Sequence, residues 1–176
     1  MALMEGTPVA VTARSDAAIV VFAVVSLVWI GMLLGVSFLA TPVKFLAPSL
    51  TLPVALDVGR QTFHWYNRVE LMIAATTLIA ALLADRRRLV RHGGAAHGLP
   101  YATLVAAFLL AAVVLQGIVL LPRLDARVET IIQGGMPPPS ALHDVYVAVE
   151  AVKLGALVGA AWLGVAGLCA RAFAER

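Results

Sequence analysis

Four apolar segments dominate the hydropathy pattern of this 176-residue chain. They cover residues 17–41, 64–84, 100–122 and 145–170. Each reaches or approaches the roughly 20 residues that a helix needs to cross a hydrocarbon core of about 30 Å. Four such segments leave too little polar sequence to cover them in a soluble protein. The pattern therefore predicts an all-α integral membrane protein, built as a four-helix bundle.

The composition agrees with this interpretation. Apolar residues make up 61% of the chain, charged residues 13%, and the mean hydropathy is +0.94. A soluble domain has about a quarter of its residues charged. The net charge of +3 comes from cations in loops beside the apolar segments. Such positions favour anchoring at a membrane surface, so we expect the lipid bilayer as the main partner and no nucleic acid.

The loop after the second apolar segment sets the expected orientation. It contains four arginines, Arg86, Arg87, Arg88 and Arg91. Clusters of this kind stay on the cytoplasmic side of a membrane. An even number of spans then places both termini in the cytoplasm, and we expect the bacterial inner membrane. The expected parts are an N-terminal cytoplasmic segment (1–16), a first hairpin (17–84), a basic cytoplasmic loop (85–99) and a second hairpin (100–172).

The two outer loops, 42–63 and 123–142, are expected to be partly helical. Pro53 is a favoured first-turn residue, so a helix can run from it into the second apolar segment. The third helix can continue past Pro122 until the glycines that begin at Gly134. We therefore expect helices two and three to project beyond the outer membrane surface.

The chain also repeats itself weakly. The first half has "GVSFLATPVKF" followed later by "FHWYNRVEL", and the second has "QGIVLLPRL" followed by "LHDVYVAVEAV". Each half contains a glycine, a proline with a cation soon after it, a histidine and a Val-Glu pair. Duplication of one hairpin explains the echo, and convergence of two hairpins is the alternative. Duplicated hairpins would share one orientation, with His64 and His143 at similar depth and Glu70 and Glu150 below them.

These four residues, His64, Glu70, His143 and Glu150, form the candidate site. His143 and Glu150 lie within about 20° of each other on a helix of 3.6 residues per turn. A charged group near mid-bilayer costs about 2.5–3.5 kcal/mol, so buried carboxylates need partners or a function. The pattern predicts an outward-facing intramembrane site. Its second layer would be Asn67, Tyr146, Lys153, Arg68 and Lys44.

Several kinds of ligand fit this set of side chains. Two imidazoles and two carboxylates suit a divalent transition metal. Paired carboxylates in a bundle can also bind a proton or a small cation for transport. Ligation of haem b by His64 and His143 is a further alternative. A purely structural lattice of ion pairs is the competing interpretation, in which Glu150 pairs with Lys153 and Glu70 pairs with Lys153, Arg68 or Lys44.

No nucleotide-binding loop, Ser-His-Asp arrangement or zinc-protease motif indicates an enzyme. A rival function is a non-catalytic accessory subunit whose polar stripes dock against a larger membrane complex. Small residues that let helices approach recur at Gly31 and Gly35 and at Gly155 and Gly159. Packing within the chain is the default interpretation of these glycines, and a homodimer is the second. The lone Cys169 is expected to have a packing role.

The segments "ATPVKFLAPSLTLPVALDVGRQTF", "FHWYNRVEL" and "LHDVYVAVEAVKL" resemble the transmembrane-protein-205-like domain family of bacterial membrane proteins. The family pattern has an aromatic residue or Leu before a His near the start of helices two and four. It also has a proline with a basic residue at the end of helices one and three. The resemblance implies a four-helix membrane fold. An animal relative is associated with tolerance to platinum drugs, which implies handling of metals or small molecules.

Overall fold

The computed structural model describes residues 8–91 and 100–174, and every regular element in these ranges is helical. The prediction of an all-α chain is confirmed. The α-helices are α1 (Pro8–Leu33), α2 (Thr41–Lys44), α3 (Leu52–Arg91), α4 (Tyr101–Leu115), α5 (Leu121–Ile132) and α6 (Leu142–Ala174). Two π-helical segments, π1 (Leu34–Ala40) and π2 (Gln116–Leu120), join α1 to α2 and α4 to α5.

Four continuous helical stretches are long and apolar enough to cross a membrane. In chain order these spans 1 to 4 are Ala17–Lys44, Leu52–Asp85, Tyr101–Ile132 and Leu142–Ala170. One predicted boundary is corrected, because α3 continues to Arg91 through the arginines that were expected in a loop. Of the predicted basic loop, residues 92–99 lie outside the described part of the chain, as do residues 1–7 of the predicted N-terminal segment.

Both predicted helical extensions are present. Helix α3 begins at Leu52, with Pro53 in its first turn, where a missing N–H costs no hydrogen bond. Helix α5 ends at Ile132 in a Schellman motif. In this motif Gly134, with φ of 82°, donates its N–H to Ile131 O, and Gly135 donates to Thr130 O. Glycine adopts the left-handed conformation without a steric penalty, which explains why the helix stops there.

The four spans pack as a closed ring of neighbours. Helix α1 contacts α3 and α6, and α4 contacts the same two helices from the other side. The centre of this bundle is a cluster of fully buried apolar residues: Trp29, Leu33, Ala74, Leu109, Val113 and Leu157. Large apolar residues elsewhere on the spans are exposed on the outer surface, as a surface facing lipid requires. The chain is therefore a four-helix bundle of membrane-spanning character.

Helices α1 and α6 approach each other closely at Gly164, a glycine outside the predicted pairs. A Cβ added at Gly164 would lie 2.7 Å from Ala23 Cβ and 3.0 Å from Ala23 Cα. By contrast, a Cβ at any of the four predicted glycines meets no described atom within 4 Å: Gly31, Gly35, Gly155 and Gly159. These four do not mediate packing between the described helices, so the default interpretation was wrong, and the homodimer stays a prediction.

Each π-helical segment ends directly before a proline-containing helix. Thr41 N–H bonds to Val36 O, and Leu121 N–H bonds to Gln116 O, five residues back in each case. Pro42 and Pro122 follow immediately. Because proline has no N–H and its ring crowds the carbonyl four residues earlier, a widened turn before it accommodates the break. The echo between "GVSFLATPVKF" and "QGIVLLPRL" thus corresponds to two similar backbone irregularities.

Asp85 joins the end of span 2 to the start of span 3. Its Oδ2 accepts hydrogen bonds from Thr103 N–H at 3.0 Å and from Thr103 Oγ1 at 2.8 Å. The first N–H groups of a helix lack partners within that helix, and a negative charge there is favourable. Asp85 therefore caps α4 from the neighbouring helix and fixes how α3 and α4 meet.

Candidate functional site

Among the described residues, three charged side chains lie together at the centre of the bundle: Glu70 on α3, and Glu150 and Lys153 on α6. Their side chains are 0%, 1% and 0% exposed. Lys153 Nζ lies 2.8 Å from both carboxylate oxygens of Glu70 and 2.7 Å from Glu150 Oε1. We call these three residues the charged cluster. One ammonium group is shared between two carboxylates that come from two different spans.

The sequence spacing explains how α6 supplies two members of the cluster. Residues three apart project from the same side of a helix, so Glu150 and Lys153 face the interior together. Lys153 Nζ also lies 5.7 Å from the centre of the Tyr66 ring, one turn before Glu70 on α3. A cation over an aromatic face is attracted by the ring quadrupole. Glu70 and Tyr66 thus hold the ammonium from the α3 side.

Glu150 receives hydrogen bonds from both π-helical segments. Ser37 Oγ, in π1, donates to Glu150 Oε2 at 3.1 Å, and Gln116 Nε2, in π2, donates to Oε1 at 2.8 Å. The Tyr66 hydroxyl donates to Oε2 at 3.3 Å. Single π-helical turns inside α-helices are frequent at functional sites. Here both of them supply a donor to the same carboxylate.

Glu70 is held by the first span as well. Trp29 Nε1 donates to Glu70 Oε1 at 2.7 Å, and Trp29 has no exposed surface. A buried indole N–H needs an acceptor, and the carboxylate supplies one. Ser37 and Trp29 come from span 1 and Gln116 comes from span 3, so all four spans either belong to the cluster or contact it.

Two features of the cluster call for an additional positive charge that donates hydrogen bonds. When all three groups are ionised, Glu70, Glu150 and Lys153 carry one negative charge in excess. Gln116 Oε1 is the one buried side-chain oxygen or nitrogen in the described residues without a hydrogen-bond partner. Such an acceptor in a low-dielectric interior is costly. A bound cation with N–H or O–H groups at Glu150 would meet both requirements.

A cavity of about 320 Å³ leads to Glu150. We call it the Glu150 cavity. Its polar wall consists of Ser37, Thr41, His143 and Glu150, and its remaining wall is mainly aromatic and aliphatic: Phe38, Pro42, Phe45, Phe63, Tyr146 and Val147. Mostly apolar cavities with a few convergent polar groups are typical of small-molecule sites. The rings add surfaces that attract cations.

The two predicted histidines have different surroundings in the structure. His64 Nε2 lies 2.6 Å from Asp125 Oδ2, on the α5 side of α3. His143 lines the Glu150 cavity at the start of α6. No group of three or more His, Cys, Asp or Glu side chains among the described residues is arranged to hold a metal ion. Metal binding and haem ligation by these histidines stay predictions, which the observed contacts do not favour.

The five residues of the predicted second layer also have different contacts. Asn67 donates to Val113 O at 3.0 Å, and the Tyr146 ring packs edge-on against Phe63 at 5.1 Å. Lys153 belongs to the cluster itself. Arg68 lies over the Trp65 ring at 4.8 Å, and Lys44 lies over Phe45 and Phe63 at 5.1 and 5.9 Å. Glu70 thus pairs with Lys153 and not with Arg68 or Lys44.

Sequence reasoning missed four residues that contact the cluster: Trp29, Ser37, Tyr66 and Gln116. Gln116 could have been identified from the sequence, because it is an amide in the middle of a long apolar segment and needs a polar partner there. Ser37 also lies within an apolar run, but a serine hydroxyl can be satisfied by its own helix. Only the three-dimensional arrangement assigns it to Glu150.

No protein-family model, curated protein or solved structure matches this chain. The resemblance to the transmembrane-protein-205-like domain family therefore stays a prediction. The contacts of the charged cluster are the basis on which a function is proposed.

Proposed function

We propose that this chain is a multi-pass inner-membrane protein that binds one small ammonium-type cation at Glu150, through the Glu150 cavity. The observation that carries the proposal is that two fully buried carboxylates share the single ammonium of Lys153. An excess buried charge costs several kcal/mol unless it is compensated. A second cation, or a proton, compensates it.

The donors and acceptors around Glu150 favour a cation that donates hydrogen bonds. Ser37 and Tyr66 place hydroxyl oxygens next to Glu150 Oε2, and hydroxyls retain acceptor lone pairs while they donate. The Gln116 amide, whose Nε2 donates to Glu150 Oε1, also carries an acceptor without a partner, Oε1. An ammonium group would find acceptors on several sides. The hydrogen-bond partners of Glu150 include no imidazole or sulfur, which transition metals prefer, although His143 lines the same cavity.

Cation binding would rearrange the ion pairs within the cluster. Lys153 contacts both carboxylates, so a cation that neutralises Glu150 leaves Lys153 to Glu70, which it already holds through two oxygens. If a proton occupies one carboxylate before binding, the incoming cation displaces it. The protein would then couple cation binding to proton release, as a transporter or a sensor requires.

The proposal includes the predicted topology of two hairpins with cytoplasmic termini. The arginines at the end of α3 favour the cytoplasmic side for that end of the bundle. The π-helical segments recur at corresponding points of spans 1 and 3, which supports a repeat of two hairpins. The Glu150 cavity lies near the opposite end, at the start of α6, and would open outward.

Isothermal titration calorimetry in lipid nanodiscs tests the proposal. Ammonium and methylammonium chloride are titrated into the wild type, the Glu150→Gln variant and the control Asp144→Asn. The control also removes a carboxylate from α6, but from its exposed first turn. We expect saturable binding of one cation per chain in the wild type and the control, and none in Glu150→Gln. Titration in two buffers of different ionisation enthalpy reports any released proton.

Absence of saturable binding in the wild type would overturn the proposal, and so would equal binding by the Glu150→Gln variant. A reporter fused to the C-terminus tests the topology independently. Alkaline phosphatase should be inactive there and a fluorescent protein should be bright, because the terminus is expected in the cytoplasm. The reverse result would invert the orientation of the cavity.

A further inference from the structure

A second cavity, of about 210 Å³, adjoins the Glu150 cavity. It shares Thr41, Phe45, Phe63 and His143 with the Glu150 cavity. Its other walls come from α2, α3 and α5. They contain the aliphatic residues Leu56, Leu121, Leu124, Val128 and Ile131 and the charged residues Lys44, Arg60, Asp125 and Arg127. Asp125 is paired with His64. We call it the Lys44 cavity, because the Lys44 side chain lines it.

Of the lysine and arginine side chains that line this cavity, Lys44 and Arg127 have no anionic partner among the described residues. Arg60, which also lines it, pairs with Asp57 at 2.6 Å and Glu129 at 2.9 Å. Arg127 donates to Pro138 O at 2.7 Å. The ion pairs of residues 17–85 and 100–170 do not include Lys44, whose ammonium group faces aromatic rings instead.

The position of the Lys44 ammonium depends on a glycine of α3. A Cβ built at Gly59 would collide with Lys44 Nζ. Glycine therefore leaves the space in which the ammonium lies against the helix. Because Nζ is the end of a flexible side chain, an alanine at this position would move the ammonium and leave the backbone in place.

The surroundings of the cavity are apolar and exposed. Large apolar residues that flank it in sequence are about half exposed or more: Val43 (51%), Leu46 (77%), Leu52 (57%) and Val54 (52%). They lie around the junction of α2 and α3, and the ion pairs of Arg60 lie further along α3. An ammonium without an anionic partner, beside aliphatic walls and an exposed apolar surface, is complementary to an anionic headgroup and the start of its acyl chain.

We propose that the Lys44 cavity binds the phosphate of an anionic phospholipid. This site is separate from the cation site at Glu150 and does not depend on it. Lys44 would supply the positive charge, Gly59 the space for it, and the aliphatic walls the contact with the acyl chain. The shared rings of Phe45 and Phe63 would lie between the two ligands.

Native mass spectrometry of the purified protein tests this proposal. The protein is titrated with phosphatidylglycerol, with phosphatidylcholine, and with inorganic phosphate as the headgroup source without acyl chains. We expect one tightly retained phosphatidylglycerol and no comparable retention of the other two. Lys44→Met should weaken phosphatidylglycerol binding about fivefold, since one lysine contributes about 1 kcal/mol to such contacts.

Two further variants distinguish a specific binding site from nonspecific electrostatic attraction of the anionic lipid. Gly59→Ala keeps the charge but displaces the ammonium, so it should also weaken binding. Arg68→Met removes a cation from the exposed side of α3, where Arg68 lies over Trp65, and should leave binding unchanged. Equal binding by Lys44→Met and the wild type would overturn the proposal, and so would retention of inorganic phosphate in place of the lipid.

Discussion

Lys153 Nζ contacts both carboxylate oxygens of Glu70 at 2.8 Å, and neither side chain has exposed surface. This contact joins span 4 to span 2 across 83 residues of sequence. Removing two charges from water is costly, and their attraction compensates only when the geometry is good and the remaining polar atoms are bonded. The ion pair is therefore both a structural tie and part of the proposed site, and variants must distinguish these roles.

Lys153→Met tests the structural role. The methionine side chain is unbranched and only one atom shorter, but it leaves two buried carboxylates without their counterion, so we expect a loss of about 3–5 kcal/mol in the free energy of unfolding. Denaturation of the purified protein by sodium dodecyl sulfate measures this loss. Arg68→Met is the control and should change stability by less than about 0.5 kcal/mol, because Arg68 is exposed. A loss no larger than in the control would show that the ion pair contributes little.

Glu150→Gln should leave the fold nearly as stable as the wild type, within about 1 kcal/mol, because the amide has the same shape and a typical hydrogen bond contributes only about 0.5–1.5 kcal/mol net. The amide oxygen can still accept from Gln116 and Lys153, and the cluster becomes neutral. Glu150→Leu offers no acceptor, so each donor left unpaired should cost about 1–3 kcal/mol. The same denaturation measurement compares them. If the two variants lose equal stability, the hydrogen bonds to Glu150 do not matter for folding.

Trp29→Phe removes the indole donor to Glu70. A hydrogen bond to a charged group contributes about 1.5–3 kcal/mol, and the smaller ring also leaves unfilled volume, so we expect a loss at the upper end of that range. Trp162→Phe is the matched control, since Trp162 is 73% exposed on the outer surface. Thermal denaturation in detergent compares the pair. Equal melting temperatures would contradict a role for the Trp29 bond.

Gly164→Ala should weaken the contact between α1 and α6. The new Cβ would lie 3.0 Å from the Cα of Ala23, a backbone atom that cannot rotate away. Overpacking of this kind costs about 1–3 kcal/mol. Gly155→Ala, on the same helix, meets no described atom within 4 Å and should be neutral or stabilising by up to about 1 kcal/mol. If Gly155→Ala is the more damaging variant, the face with Gly155 packs against another molecule, as a homodimer would require.

Elemental analysis separates the proposed cation site from the metal hypothesis. A transition metal held by His64, His143 and the two glutamates predicts about one metal ion per chain, lost in His64→Ala and in His143→Ala. The geometry around Glu150 predicts instead that neither histidine variant changes the metal content of the purified protein. Stoichiometric metal that depends on both histidines would favour the metal site and would place the cation proposal in doubt.

The helices were predictable because their signal is local. Uninterrupted apolar runs fixed the number of spans, and Pro53 and Gly134 marked the ends of the extensions. The pairing of Glu150 with Lys153 was also accessible, since residues three apart share a helix face. These inferences need only the geometry of a single helix.

The remaining contacts depend on the orientation of each helix about its own axis, which decides which of its residues face the interior. Span 1 is apolar on all sides, so no pattern shows that Trp29 and Ser37 face the interior. Similarly, the pairing of His64 with Asp125 depends on how far α5 extends alongside α3. The π-helical segments alter the rotation again, because residues beyond a widened turn no longer follow the regular period of 3.6.

The π-helical segments have a consequence for how this interior can evolve. A widened turn accommodates one residue more than an α-turn, so a single inserted or deleted codon can create or remove it while the helix on either side keeps its partners. Ser37 and Gln116 both lie in such turns and both point at Glu150. Insertions and deletions of one residue are thus genetic changes that could add or remove the Ser37 or Gln116 contact to Glu150 without disturbing the surrounding bundle.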